Sequence, residues 1–158
     1  MFGFILRPFA TIDGIDFDQI ERELVRPALF MLGIDARTSG GESGNVRTNI
    51  FEALLSADLV LADVSVSNAG VFYQLGIRHA LRDRGTVLMA ASDSGLPLDL
   101  PMVDRPLRYN AKSASASIQQ LVMVAQNVLQ SGRPDSPVFF ALPWLQMPRS
   151  TSGTGYVG

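Results

Sequence analysis

The chain has no cysteine, a single histidine (His79), and only 18% charged residues across 158 positions. Without cysteine there is no disulfide, no thiolate metal site and no cysteine nucleophile. One histidine excludes a multi-histidine metal centre within the chain, and no metal site is expected. Charge of one sign is also lacking: 13 Lys and Arg against 15 Asp and Glu leave a net charge of −2. That balance offers no electrostatic footprint for nucleic acid or for an anionic membrane surface. No stretch reaches the ~20 consecutive apolar residues of a membrane span. The apolar run in the opening MFGFILRPFA is too short for a signal-peptide core, and no basic residue precedes it. A cytoplasmic domain is expected.

What is present suits a packed fold. The residues AVILMFWYC make up 47% of the chain, and the length fits one domain with a real core. Short apolar runs at 2–6 (FGFIL), 34–37, 59–64 (LVLADV), 86–91 (TVLMAA) and 107–109 read as strands, the last at an edge. Helices are predicted over 17–32, 48–56, 71–81 and 117–129. Asp16 should cap the first, Pro27 should kink or divide it, and Gly33 should end it. Ile50, Leu54 and Phe51 are expected to face inward from the second. Strands alternating with helices imply a parallel sheet with helices on both faces. The domain is assigned to residues 1–130. Residues 131–158, with four prolines and the ending STSGTGYVG, read as an extension or linker rather than core.

Ligands of such sheets bind beyond the carboxyl ends of the strands, where strand order reverses. The loops there are 7–16, 37–47, 63–70 and 91–100. Asp63, at a strand end, can reach a ligand hydroxyl or serve as a cap or turn residue. Asn68 reads as the N-cap of the following helix. On that helix Val71, Gln74 and Arg78 are expected on one face, with Phe72, Leu75, Gly76 and His79 on another. Gly76 costs about 1 kcal/mol against alanine, so a close backbone approach is expected there. The loop SGGESGN lacks the lysine-serine ending of a P-loop and reads as a flap over the site. Ser39, Ser43 and Ser136 have no spare histidine for a catalytic triad.

The segment ADLVLADVSVSNAGVFYQLGIRHAL, residues 57–81, resembles a specific signature. It is similar to the TIR-like domains of bacterial proteins related to the N-terminal, TRAF-binding region of stress-activated MAP kinase kinase kinases, in which a tetratricopeptide array often follows. The matching residues are Asp58, Ala62, Asp63, Asn68, Val71, Phe72, Tyr73, Leu75, Gly76, Arg78, His79 and Ala80. The resemblance extends through IDFDQI, LVRPAL, the glycine-rich loop and DSPVF, and so covers nearly the whole chain. It implies a flavodoxin/TIR-like parallel sheet of about five strands with helices on both faces. A more distant similarity is to nucleoside 2-deoxyribosyltransferases. In both groups a glutamate of the helix is catalytic, and here that position is Gln74; Gly70 stands where a second asparagine is common.

The resemblance implies cleavage of the N-glycosidic bond of NAD+, as substrate and without a further cofactor, in bacterial immunity or stress signalling. Such cleavage builds positive charge on the ribose, which a carboxylate stabilises or captures covalently. Gln74 has the shape of glutamate without the charge. Under this reading Gln74 lies beneath the ribose, and Asp63, Ser65 and Asn68 bind its hydroxyls or position the helix. Arg7, Pro8 and Phe9 form the opposite wall with Phe9 stacking on a ring, Arg47 meets the pyrophosphate, and Tyr73 completes the substrate-binding set. A homo-oligomer or filament is implied on activation, with neither nucleic acid nor membrane as partner. Gln74 marks either a degenerate member that binds without catalysis or a glutamate-to-glutamine replacement. The replacement is favoured because the rest of the motif is intact. The alternatives in function are a nucleoside or nucleotide N-glycosidase, a deoxyribosyltransferase-like enzyme, and a catalytically silent interaction module.

Overall fold

The structure is a computed structural model that describes residues 1–40, 46–96 and 105–148, with the backbone alone at 46–49. Its main sheet is parallel, in the order β4-β1-β5-β6-β7, from strands β1 (Phe2–Leu6), β4 (Asp35–Thr38), β5 (Leu59–Asp63), β6 (Thr86–Ala91) and β7 (Leu107–Tyr109). Counted among the parallel strands alone this order is 2-1-3-4-5, the flavodoxin-like arrangement, and it reverses between β1 and β5. The expected strand 34–37 lies one residue later, and 59–64 ends at Asp63.

Both faces of the sheet are covered, which is why its strands read as continuous apolar runs. Alternation along each strand divides them between two cores. Ile5, Leu59, Leu61, Val87 and Met89 pack on one side with Phe17, Leu24, Leu29, Leu121 and Ala125. Phe4, Leu6, Val60, Ala62 and Ala90 pack on the other with Leu54, Val71 and Leu75. The first core draws on α1 (Phe17–Ile20), α2 (Arg26–Met31) and α5 (Ile118–Gln130). The second draws on α3 (Val46–Ser56) and α4 (Ala69–Leu81).

Pro27 does not end the first helix: the backbone stays right-handed helical through the junctions of α1, a π-helical stretch at Glu21–Val25 and α2, and the π-helical stretch lies just ahead of the proline. Asp16 caps α1 by accepting from the Gln19 N–H. Ahead of it lies a two-stranded hairpin, β2 (Thr11–Ile12) and β3 (Ile15–Asp16), absent from the sequence reading. Its turn is Asp13-Gly14, with φ of 52° and 78°. Two consecutive positive φ values are what a two-residue hairpin turn demands, and Asp-Gly is among the pairs that supply them.

Three expectations need correction. Phe51 is 44% exposed, while Leu54 fills the core below α3. Among the described residues nothing lies within 4 Å of a Cβ built on exposed Gly76, so no close approach there explains that glycine. On α4 the buried residues are Val71, Leu75, Arg78 and His79 together, so Arg78 shares the buried side with Leu75 instead of facing a site with Gln74.

The expected linker also begins as part of the domain. Helix α6 (Pro137–Ala141) buries Phe139, and fully buried Ser136 donates to the His79 carbonyl while capping α6. Asp135 accepts from the backbone N–H groups of Gly85 and Thr86. Prolines there mark a tight docked turn rather than a free chain. No helix among the described residues is long and apolar enough to cross a membrane.

Candidate functional site

Three loops meet at the carboxyl ends of β4, β1 and β5. Ser39 follows β4, and its backbone N–H bonds the Ile5 carbonyl of β1. Its hydroxyl donates to Gln74 Oε1 over 2.6 Å, reaching the second turn of α4. Ser39 is buried and Gln74 half-buried. The Gln74 amide nitrogen donates to no group among the described residues.

The next residue, Gly40, has φ of 88°, and a Cβ there would collide with the Phe9 ring. Glycine therefore lets the Phe9 ring lie on the β4 turn while Phe9 as a residue stays 57% exposed. The Arg7 guanidinium stands over the same ring at 5.6 Å from its centroid. Phe9, Ser39, Gly40 and Gln74 thus form one continuous rim across the end of the sheet.

Beside the rim lies an ion-pair network with no counterpart in the sequence reading. Glu21, in the π-helical stretch, accepts from Arg7, from Arg26 and from the Thr38 hydroxyl. Arg7 also bonds Asp18 and the Pro8 carbonyl. Burial alone would raise the Glu21 pKa, but the hydrogen bonds from Thr38, Arg7 and Arg26 outweigh it and hold the carboxyl below its usual value. Arg7 ties β1 to the first helix, and Pro8 is buried. Of the predicted opposite wall, only Phe9 presents a ring to solvent.

Asp63, Ser65 and Asn68 all spend polar atoms on the fold. Asp63 Oδ1 accepts from the Ser65 N–H and hydroxyl at 3.0 and 2.6 Å, and Oδ2 accepts from the Tyr109 hydroxyl at 2.7 Å. This is the turn role that the strand-end position allowed. Desolvation raises the Asp63 pKa, against opposing hydrogen bonds from Ser65 and Tyr109. Burial likewise pushes the Tyr109 phenol up, with the Asp63 charge adding to it. Ser65 Oγ also accepts from the Ala91 N–H at 2.8 Å. Asn68 Oδ1 caps α4 through the Val71 N–H, as its residue type predicts.

Tyr73, adjacent to Gln74, is 65% exposed. Arg47 lies in the first turn of α3, and its side chain falls outside the described residues, as do Ser43 and positions 41–45 of the glycine-rich loop. Ser65 and Ser67 open onto a 660 Å³ cleft at the ends of β5 and β6, bordered by Asp13, Asp93 and Lys112. Its lining residue Val66 belongs to the core opposite that of α4, so this cleft and the Gln74 rim flank the sheet end from opposite sides. The expected substrate-binding residues therefore do not converge in one pocket among the described residues.

His79 is buried beside Arg78, and burial followed by the Arg78 charge depresses its pKa to about 4. It lines a separate 330 Å³ cavity with Thr86, Val128 and Asp135. Among the described residues no group of three or more His, Asp or Glu side chains could hold a metal ion.

Two local signals point to the rim and its surroundings: Asp13-Gly14 is a hairpin signature, and Ser39 precedes a glycine at a strand end. Glu21 and Tyr109 carry little local signal, since Arg7 and Thr38 lie 14 and 17 residues from Glu21 and Asp63 lies 46 from Tyr109.

No family model and no curated protein matches the chain. Among solved structures it is similar to the flavodoxin-like domain of a Synechococcus sp. protein, at 13% identity and a TM-score of 0.45, over 80% of this chain and 98% of that one.

Proposed function

We propose that this domain is a TIR-like NAD+ glycohydrolase of a cytoplasmic bacterial immune or stress effector, silenced by the amide at position 74. The observation that carries the proposal is the setting of Gln74. It stands half-buried at the carboxyl edge of the reversal point, one oxygen held by Ser39, on a rim that shares the exposed Phe9 ring. That is where an open α/β sheet receives ligands, and an exposed aromatic there suits a flat base.

In the reaction the bond between ribose C1′ and the nicotinamide nitrogen breaks, and its electron pair leaves with nicotinamide. The ring is cationic beforehand and departs neutral, so no strong general acid is needed. Positive charge then resides on the ribose, where a carboxylate at position 74 stabilises it until water attacks C1′ and releases its proton to solvent. An amide offers N–H donors and no negative charge. Losing one preorganised electrostatic group costs roughly 10²–10³ in rate, and losing a nucleophile costs more.

Gln74→Glu, incubated with NAD+ at high protein concentration with and without a crowding agent, should release nicotinamide. Background release in the self-associated state would sink the glycohydrolase reading. Release of free base from nucleosides, with none from NAD+, would identify the nucleoside N-glycosidase alternative.

A second reading, a silent interaction module, is supported by the Ser39–Gln74 bond itself. The amide oxygen is satisfied without any ligand, so the rim is stable as a purely structural feature.

A further inference from the structure

We infer that Ser39 is the positioning residue for position 74: its hydroxyl holds one terminal atom of that side chain and turns the other toward the ligand. The inference rests on the rim proposed above as the site, and three observations support it.

The first is chemical complementarity. An amide oxygen only accepts, so the Ser39 hydroxyl must donate to Gln74 Oε1 across 2.6 Å. That bond holds one terminal atom of the amide and leaves the other for the crevice. The nitrogen, which has no partner among the described residues, becomes the group offered to the crevice. In the present chain position 74 therefore presents N–H donors and selects an acceptor such as a ribose or carbonyl oxygen. With glutamate there, the same serine holds one carboxylate oxygen and leaves the other for the ribose carbon.

The second is rigidity. Ser39 is only 4% exposed, and its own N–H is fixed to Ile5 of the central sheet. The following residue must be glycine, because its φ is 88° and the Phe9 ring covers it. A hydroxyl held in this way is preorganised, whereas a surface serine would rotate freely.

The third is economy of partners. Thr38, Arg7 and Arg26 are committed to Glu21, so the neighbouring donors of the β1 and β4 ends are already in use. Ser39 supplies a hydroxyl from the β4 end to α4.

The test compares Gln74→Glu with the double variant that also carries Ser39→Ala. The carboxyl at position 74 is titrated by carbon-13 NMR, and nicotinamide release is followed in parallel. Losing a hydroxyl donor to a carboxylate should move its titration upward by about one pH unit. The charged groups on the adjoining elements (Arg7, Asp18, Glu21 and Arg26) are the same in both proteins and cancel in the comparison. Adding Ser39→Thr in place of alanine should return the titration toward that of Gln74→Glu, and thermal unfolding checks that each variant is folded. An unchanged titration in folded Ser39→Ala protein overturns the inference whether or not NAD+ is cleaved. A shifted titration without nicotinamide release leaves Ser39 in its role and removes only the glycohydrolase reading.

Discussion

Tyr109 donates its hydroxyl to Asp63 Oδ2 across 2.7 Å, joining the edge strand β7 to the central strand β5 over the intervening β6. Both residues are buried, so the bond has no competing water. Tyr109→Phe leaves a buried carboxylate oxygen without its donor and should destabilise the fold by about 1–3 kcal/mol in urea unfolding. A loss below about 0.5 kcal/mol would mean that the carboxyl finds another partner.

The same carboxyl makes stability depend on pH in a defined direction. Desolvation raises the folded pKa of Asp63 above its ordinary 3.8. The folded state then binds the proton more tightly than the unfolded one. The contribution is full below about 3.8 and falls away as pH rises through the higher folded value. Asp63→Asn should abolish this downward slope, seen as a flatter profile of unfolding midpoints from about pH 4 upward.

His79 contributes the opposite slope. Its folded pKa, near 4, lies below the ordinary 6.5, so the unfolded chain binds the proton more readily. The stability it provides is full above 6.5 and is lost as pH falls through 4, by about 3 kcal/mol in all. His79→Gln should lessen acid destabilisation between those limits. Unfolding midpoints that keep their full dependence in the variant would rule out His79 as the source.

Arg78 is an internal clasp rather than a site residue. Fully buried, it donates to the carbonyls of Leu54, Ala57, Arg84 and Gly85, and burial lowers its pKa to about 10. Arg78→Ala should cost about 3 kcal/mol or more, because several buried carbonyls lose their donor at once. Gly85→Ala should be comparably damaging. Gly85 has φ of 88°, and an added Cβ would press on the Asp58 carbonyl and the Arg78 guanidinium. Both variants are to be read by thermal unfolding, and a shift of less than about 3 °C in either would refute the clasp.

Glu21 gathers Arg7, Arg26 and Thr38 at the rim. Glu21→Gln keeps the shape, leaves Arg26 without its countercharge and leaves Arg7 with Asp18 alone, at a cost of about 2–4 kcal/mol. Because the folded pKa of Glu21 lies below its ordinary 4.5, its contribution is present above that value and lost as pH falls. The difference between parent and variant should therefore shrink on acidification.

The motif residues of α4 show how far a linear pattern reaches. Asn68 caps the helix as its residue type foretold, and Asp63 closes the turn beneath it. Arg78 has a specific place in the motif, yet its partners come from α3 and from the turn before β6. Nothing local distinguishes an arginine that clasps carbonyls from one that binds phosphate. Arg7 shows the same limit: its partners Asp18 and Glu21 lie 11 and 14 residues along the chain.

Alternation of short apolar runs with amphipathic stretches was enough to specify a parallel sheet covered on both sides. Hydrophobic period and strand length are properties of consecutive residues, and burying both faces leaves them little freedom. The position of the glutamine on α4 followed from the same pattern. Strand order, the docking of residues 135–141 and the partners of buried charge depended on the assembled chain. A hydrogen bond between Ser39 and Gln74 spans 35 residues, and its energy exists only once β1 brings β4 beside the sheet centre. The rim at the end of the sheet is a product of that meeting, and no segment contains it alone.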